Sequence, residues 1–244
     1  MGAETVEILG LPVQVVTYGE TLDIIREWIG SGEPHQLATA NPEFMIMAQE
    51  DAEFRQALKS ADLVVADGAG LLWAARVMGQ PLPERVTGSD LLPLIARQAA
   101  AEGWTIFLLG AAPGTARQTA EVLQAEHSEL RVVNDYSGSP SDEESDGIIE
   151  LVRQARPDIL LVAYGAPAQE KWIARYLHEL AVPVVIGVGG AFDHIAGVQR
   201  RAPVWVQNLH LEWLFRLVTQ PWRWRRQLAL PKFAWAVLRS RWQS

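Results

Sequence analysis

The sequence is 244 residues long, with 49% hydrophobic and 20% charged residues, which is typical of a soluble globular protein large enough for one α/β domain or two small ones. It contains no cysteine, which excludes disulfides and thiolate chemistry and gives no support to secretion. Its net charge of −8 conceals a basic C-terminal segment, residues 200–244, with nine Lys and Arg, one Glu and six of the ten tryptophans.

The N-terminal residues lack both the basic start and the apolar run of a secretory signal peptide. No uncharged apolar stretch reaches the length of a membrane-spanning helix, because Gly and Pro interrupt the longest candidates. We therefore expect a cytoplasmic protein.

Residues 1–101 predict the less regular half of an α/β fold. Residues 6–17 predict one or two short strands, which a hairpin around residues 10–12 would join. Asn41 and Pro42 come directly after a short predicted strand, an order typical of a helix start with Asn41 as the cap. The other elements predicted here are a helix at 21–29, that strand at 36–39, a helix at 53–60, a strand at 63–66, an apolar helix ending at 78, a loop at 79–89 and a helix at 90–101.

Residues 102–199 predict a regular alternation of strands and helices. The predicted strands are 105–109, 131–133, 158–163 and 182–188, and the predicted helices are 115–126, 147–156 and 169–180. Strands that alternate with helices of this length form a mostly parallel sheet with helices on both faces. We therefore predict a Rossmann-like α/β core at residues 1–203 and an amphipathic helical appendage at residues 204–244.

Five turns at the predicted strand ends carry glycines and polar residues, at 39–42, 67–70, 110–114, 165–170 and 187–193. The carboxyl ends of parallel strands lie on one edge of the sheet, so these turns are predicted to converge on one crevice. Helix N-termini open at the same edge, and their N–H groups suit a diphosphate. The loop at 79–89 is long enough to form a mobile flap over this crevice.

The turns do not match the common cofactor motifs. Residues 110–114 lack the Lys-Ser/Thr pair of a P-loop, and residues 187–190 lack the last glycine of the dinucleotide fingerprint. The sequence has no H-E-x-x-H, no histidine cluster and no Asp-x-Asp, so a metal site has no support. We expect neither a cofactor nor a bound metal.

Most of these turns also have a purely structural interpretation. The alternative for Asn41 is a helix cap alone, and for Gln169 and Glu170 it is a first-turn position that favours the helix dipole. The alternative for the glycines from Gly187 onward is a turn that ends a strand, and an isolated His194 is more often structural than a ligand. Asp67 is a better candidate for a base, since it follows a buried strand.

The basic segment predicts two amphipathic helices. Apolar residues recur at helical spacing in 204–218, Pro221 ends that helix, and a second helix is predicted at 232–242 after a break at Pro231. Tryptophan interleaved with arginine is typical of a helix at an anionic membrane surface. The alternatives are packing on the core, burial between the subunits of a homo-oligomer, and nucleic-acid binding, which the acidic remainder of the chain disfavours.

Taken together, these turns resemble those of the WecG/TagA/CpsF family of glycosyltransferases, in order along most of the chain. The matching segments are 38–42, 66–70, 110–114, 165–172, 187–193, 201–203 and 211–217. The resemblance implies an inverting, metal-independent transfer of N-acetylmannosamine from its UDP derivative to N-acetylglucosaminyl-diphospho-undecaprenol, for teichoic acid, common antigen or capsule. It also implies an appendage that contacts the membrane, and so a peripheral location at the inner face of the cell membrane.

The same resemblance implies roles for individual residues. Asp67 is the expected base, Thr39 lies in the same catalytic pocket, and Arg85 in the 79–89 loop is expected to close over the diphosphate. The implied substrate-binding residues are Asn41, Arg85, Gly110, Gly114, Gln169, Gly189, Gly190, Asp193 and the tail arginines Arg216, Arg223 and Arg226. Arginines suit the charge of a departing UDP or of the lipid diphosphate.

Two other functions remain open alongside this one. The same fold could use another UDP-hexose, such as UDP-glucose, because nothing in the sequence decides the configuration at C2 of the sugar. The second alternative function is a non-catalytic nucleotide-binding scaffold at the membrane. The presence of Thr39, Asp67 and Gln169 argues against it.

Overall fold

The computed structural model describes residues 4–199, 202–203, 206, 212–219, 224 and 228–241. Within them, a two-stranded antiparallel sheet precedes a six-stranded parallel sheet that carries helices on both faces. The predicted α/β architecture is therefore confirmed.

The elements alternate along the chain after an N-terminal hairpin. The strands are β1 (Thr5–Ile8), β2 (Leu11–Gln14), β3 (His35–Ala40), β4 (Leu63–Ala66), β5 (Thr105–Gly110), β6 (Arg131–Tyr136), β7 (Ile159–Ala163) and β8 (Val184–Gly187). The described helices are α1 (Tyr18–Ser31), α2 (Pro42–Glu50), α3 (Ala52–Ser60), α4 (Ala69–Val77), α5 (Gly88–Glu102), α6 (Thr115–Glu126), α7 (Asp142–Ala155), α8 (Ala168–Leu180), α9 (Ala191–Ile195), α10 (Glu212–Thr219) and α11 (Ala229–Arg241).

The strand order of the large sheet is β4-β3-β8-β7-β5-β6, and every neighbouring pair is parallel. The chain steps outward from β3 to β4, crosses to β5, and then steps outward to β6 on the other side. Such a reversal leaves a crevice beyond the carboxyl ends of the central strands, which is where open α/β sheets bind ligands.

The central strands are covered on both faces. Every residue of β4, β7 and β8 is buried, and these strands are runs of aliphatic residues typical of a parallel sheet. On one face, Leu37, Val65 and Ile186 pack with α1, α5 and α6. On the other face, Val64 packs with α2, α3 and α4, and Val185 packs with α7 and α8. The sheet is therefore a rigid support for the turns at its edge.

Several element boundaries differ by a few residues from the sequence prediction, and two of the differences have identifiable reasons. Helix α1 begins at Tyr18 and not at residue 21, because Thr17 and Glu20 form a capping box. Helix α7, predicted to begin at residue 147, begins at Asp142, where three acidic residues in the first turn favour the helix dipole.

Helix α11 packs on the α/β core. Phe233 and Val237 are buried with α2, α4 and the hairpin, whereas Trp235 and Leu238 on the same helix are exposed. Pro231 was predicted to separate two helices, but it lies in the first turn of α11. At that position the N–H that proline lacks would make no helical hydrogen bond. None of the described helices is long and apolar enough to cross a bilayer. The division of the chain at residue 203 remains a prediction.

Candidate active site

The turns at the carboxyl edge of the sheet enclose a cavity of about 370 Å³. Turns after β3, β4, β5, β7 and β8 contribute to its wall together with the start of α5, as the strand pattern predicts. The predicted site residues that line it are Thr39, Asn41, Asp67, Gln169, Gly189, Gly190 and Asp193.

Gly110, Gly114 and Arg85 do not line the cavity. After β5, Ala111 and Ala112 form the cavity wall, and Gly110 and Gly114 lie on either side of them in the sequence. Arg85 is half-buried in its loop and does not line the cavity. Arg216 belongs to α10, whereas Arg223 and Arg226 lie outside the described residues, so the roles of these three arginines remain predictions.

The side of the cavity formed by β3 and β4 brings Asn41 and Asp67 together. The Asn41 side-chain oxygen accepts a hydrogen bond from the Phe44 N–H at 3.1 Å and caps α2. Because the cap uses Oδ1, the amide nitrogen is the group with which Asn41 can donate to a ligand. Asp67 follows β4, is half-buried, and donates its own N–H to the Ala40 carbonyl at 2.7 Å. This bond fixes the Asp67 backbone to the end of the neighbouring strand, beside the cavity that Asp67 lines.

Thr39 joins the two halves of the sheet at this edge. Its buried hydroxyl donates to the Gly187 carbonyl at 3.3 Å, which links the end of β3 to the end of β8. An added Cβ on Gly88, the first residue of α5, would approach the Thr39 hydroxyl to 3.4 Å. Thr39 therefore sits where three elements of the cavity wall meet.

The side formed by β7 and β8 is held by the amide of Gln169, a buried residue in the first turn of α8. The Gln169 Oε1 accepts hydrogen bonds from the Gly165 N–H at 2.9 Å and the Gly189 N–H at 3.1 Å. Its Nε2 donates to the Glu170 carboxyl at 2.7 Å. One amide thus ties the turn after β7 to the turn after β8.

Glu170 is a fully buried carboxyl directly behind this wall. Burial raises the pKa of Glu170 to about 7, against the opposing effect of the Gln169 hydrogen bond. Its second oxygen, Oε2, has no hydrogen-bond partner among the described residues. Gly187 makes room for the pair, since an added Cβ there would lie 2.6 Å from both the Gln169 Nε2 and the Glu170 Oε1.

The loop that carries Arg85 contacts the core and the end of β4, and its movement as a flap remains a prediction. Leu82 and Val86 are buried, and the Val86 N–H donates to the Ala66 carbonyl at 2.9 Å, directly before Asp67. These contacts give residues 82–87 a fixed path along the end of β4.

Tyr18 holds this loop on both sides of Arg85. The Tyr18 N–H donates to the Glu84 carboxylate at 2.8 Å, and the Tyr18 hydroxyl accepts from the Thr87 N–H at 2.9 Å. Burial raises the pKa of Tyr18, and the charges of Asp90 and Asp67 add to that effect while the Thr87 hydrogen bonds oppose it.

Asp193 and the residues around α9 form the far wall. The Gln199 side chain donates to the Asp193 carboxylate at 3.0 Å, and the Gln199 N–H donates to the Asp193 carbonyl at 2.9 Å. Gln199 and His194 both line the cavity, although neither was predicted from the sequence. His194 directly follows Asp193, so its position in the sequence was a usable signal. Gln199 is six residues beyond Asp193 and is brought to the cavity by tertiary contacts, including these two bonds.

Glu43, Ser89 and Tyr164 also line the cavity without having been predicted. Glu43 lies in the first turn of α2, Ser89 in the first turn of α5, and Tyr164 directly after β7, so all three occupy places that face this edge of the sheet. Burial raises the pKa of Tyr164, and the charge of Glu144 raises it further. The Tyr164 hydroxyl is buried and has no hydrogen-bond partner among the described residues.

Comparison with known proteins gives a match to one family model over residues 6–244, described as "Glycosyl transferase WecG/TagA/CpsF family". Three relatives carry the name N-acetylglucosaminyldiphosphoundecaprenol N-acetyl-beta-D-mannosaminyltransferase. A protein of Bacillus spizizenii is 34% identical over 203 residues, which cover 83% of this chain and 78% of the relative. A protein of Bacillus subtilis is 33% identical with the same coverage, and one of Staphylococcus aureus is 26% identical over 97% of this chain and 93% of its own.

Proposed function

Because the chain belongs to the WecG/TagA/CpsF family of glycosyltransferases, we propose that it transfers N-acetylmannosamine from UDP-N-acetylmannosamine to N-acetylglucosaminyl-diphospho-undecaprenol. The names of the relatives support the sugar and the acceptor, and we propose that the product enters the synthesis of a cell-surface polymer. The observation that carries the chemistry is the Asp67 carboxyl, which lines the cavity at the end of a buried strand, close to the N-terminus of α2.

The proposed reaction is a single displacement with inversion. The acceptor hydroxyl oxygen bonds to the anomeric carbon, its proton passes to the Asp67 carboxylate, and the bond from that carbon to UDP breaks with its electron pair leaving on the diphosphate. Thr39 and Asn41 lie in the same wall as Asp67, where a hydroxyl and an amide can orient the sugar. Each of these roles is assigned to a residue that lines the cavity.

The departing UDP needs positive charge or hydrogen-bond donors. Helices α2, α5 and α8 all begin at the cavity, and their first N–H groups suit a diphosphate. We assign further stabilisation to Arg85 and to the tail arginines Arg216, Arg223 and Arg226. We propose that these groups do the work of a metal ion, so that turnover persists in the presence of a chelator.

A lipid-linked acceptor requires access to the membrane, and we assign this contact to the basic segment. On α10, Trp213, Leu214 and Val218 are exposed, and on α11 Trp235 and Leu238 are exposed while the opposite side of the helix packs on the core. Large apolar side chains that face outward beside arginines favour binding at an anionic membrane surface. We therefore propose peripheral attachment to the inner face of the cell membrane.

The membrane proposal is testable with substitutions on the outer side of α11. Replacing both Trp235 and Leu238 with Glu should reduce sedimentation with phosphatidylglycerol vesicles at least about tenfold, because two large apolar side chains lose their burial in lipid. Val133→Glu, on the exposed edge strand β6, is the matched control. Equal sedimentation of all three proteins would contradict the proposal. Truncation after residue 203 is less informative, because it also removes the buried Phe233 and Val237.

The activity is testable with a panel of UDP-sugars and a short-chain N-acetylglucosaminyl-diphospho-lipid. We expect UDP release and a lipid product heavier by one N-acetylhexosamine with UDP-N-acetylmannosamine. A product formed preferentially from UDP-glucose would change the donor and keep the reaction class. UDP binding without transfer from any donor would favour the non-catalytic scaffold instead.

A further inference from the structure

Glu170 is an ionisable side chain that the proposed displacement does not use. It is fully buried, lies next to Gln169 in the first turn of α8, and accepts the Gln169 Nε2–H at 2.7 Å. A buried carboxyl that has one oxygen without a partner is costly to the fold, and an apolar side chain of similar size would avoid that cost. Its presence directly behind the wall of the cavity therefore calls for a role other than stability.

The role follows from the two orientations open to the Gln169 amide. A side-chain amide can rotate by half a turn and exchange its oxygen and nitrogen at little steric cost. In the observed orientation the oxygen lies between the Gly165 and Gly189 N–H groups, and the nitrogen faces the Glu170 carboxyl. In the other orientation the NH₂ group would face two N–H donors and the oxygen would face a carboxyl oxygen. Glu170 thus adds to the two N–H groups in favouring the orientation that joins the two turns.

We propose that Glu170 is a positioning residue for donor binding: through Gln169 it holds the turns after β7 and β8 at the spacing that the UDP-sugar pocket requires. This inference rests on the proposed function for the identity of the ligand. The geometry is independent of that function, because Gly165 and Gly189 both line the cavity and both donate to the same Gln169 oxygen. Gly187 belongs to the same arrangement, since only a residue without a side chain leaves room for the Gln169–Glu170 pair.

The test compares Glu170→Leu, which removes the acceptor, with Glu170→Gln, which keeps an oxygen for the Gln169 Nε2–H. Glu179→Leu, at an exposed position of the same helix, is the matched control. In Glu170→Leu we expect the Kd for UDP and the KM for the donor to rise at least about tenfold, with the KM for the acceptor changed less than about threefold. Glu170→Gln should restore both donor constants to within about threefold of the wild type.

Two further readouts separate positioning from loss of folding and from an incorrect ligand. The thermal midpoint of Glu170→Leu should stay close to that of the wild type, because removal of a buried carboxyl offsets the loss of the acceptor for the Gln169 Nε2–H. Hydrogen exchange at the Gly165 and Gly189 amides should accelerate in Glu170→Leu but not in Glu170→Gln or Glu179→Leu.

The outcomes distinguish this inference from the proposed function. Unchanged exchange at Gly165 and Gly189 in Glu170→Leu, or a donor affinity within about twofold of the wild type, would overturn the inference. A lower thermal midpoint with no rescue by Glu170→Gln would also overturn it in favour of a structural role. If the wild-type protein binds no UDP but the two amides still respond to Glu170→Leu, the proposed function fails and the positioning by Glu170 stands.

Discussion

The two sides of the cavity use their polar side chains in different ways. On the β7–β8 side, the Gln169 amide makes three hydrogen bonds within the protein, and its partner Glu170 is buried. On the β3–β4 side, Asn41 uses one oxygen for a cap, and the half-buried Asp67 carboxyl is part of the cavity wall. We propose from this contrast that the β7–β8 side provides the shape of the donor pocket and the β3–β4 side provides the chemistry. Variants on the two sides should therefore separate binding from turnover.

The largest expected effect is on the β3–β4 side. Asp67→Asn keeps the size of the side chain and removes the base, so kcat should fall about 10³-fold or more. Steady-state release of UDP in the presence of the lipid acceptor measures the effect. A kcat within about tenfold of the wild type would remove Asp67 as the base and break the comparison on this side.

The next effect is on the β7–β8 side, at Gly187. Gly187→Ala places a Cβ 2.6 Å from both the Gln169 and the Glu170 side chains, so the two must move apart. We expect a loss of about 1–3 kcal/mol in the free energy of unfolding, together with a higher KM for the donor.

The matched control is Gly147→Ala in α7, where an added Cβ has nothing within 4 Å. This change should stabilise the protein by about 0.5–1 kcal/mol, because alanine is the better helix former. Denaturant titration measures both proteins, and equal stability of the two variants would contradict the tight fit around Gly187.

A pH dependence of stability should come from Glu170. Burial raises the pKa of Glu170 from 4.5 to about 7, so the folded protein retains a proton that the unfolded chain releases. The free energy of unfolding should therefore fall as the pH rises from 4.5 to about 7, by about 3 kcal/mol for one group, and then level off. Urea titrations of the wild type and of Glu170→Gln, which does not ionise, should show this contribution in the wild type alone. Parallel pH profiles would contradict the buried, proton-retaining carboxyl.

The smallest effect is expected at Tyr18, which anchors the loop of Arg85. Tyr18→Phe removes the acceptor for the Thr87 N–H and should cost about 1 kcal/mol of stability and raise the donor KM about threefold. Tyr136→Phe, at the exposed end of β6, is the control. A donor KM unchanged by Tyr18→Phe would show that the position of Arg85 does not depend on this bond.

The parts of the site set by strand ends were predictable from the sequence, and the parts set by packing across the sheet were not. Asp67 follows four aliphatic residues of β4, and that order is enough to place it at the carboxyl edge. Gln169 and Glu170 look like ordinary first-turn residues of a helix, and their burial depends on the empty space at Gly187 on another strand. Local patterns contain no information about such a distant neighbour.

The basic segment shows the same limit. Its amphipathic pattern predicts helices, and α11 confirms one of them, but Phe233 and Trp235 are both large and apolar. Only the presence of α2 and α4 decides that Phe233 is buried and that Trp235 is exposed. Helix propensity and apolar periodicity predict that this segment is a helix. Which side of the helix is buried depends on the elements that pack against it.

The most direct test of the division between chemistry and shape is the affinity of the Asp67→Asn protein for UDP-N-acetylmannosamine, measured by titration calorimetry without acceptor. We predict a Kd within about threefold of the wild-type value, because the β7–β8 side is proposed to shape the donor pocket and the Asp67 carboxylate to act on the acceptor. Loss of donor binding in Asp67→Asn would contradict it, since Asp67 would then belong to the binding wall.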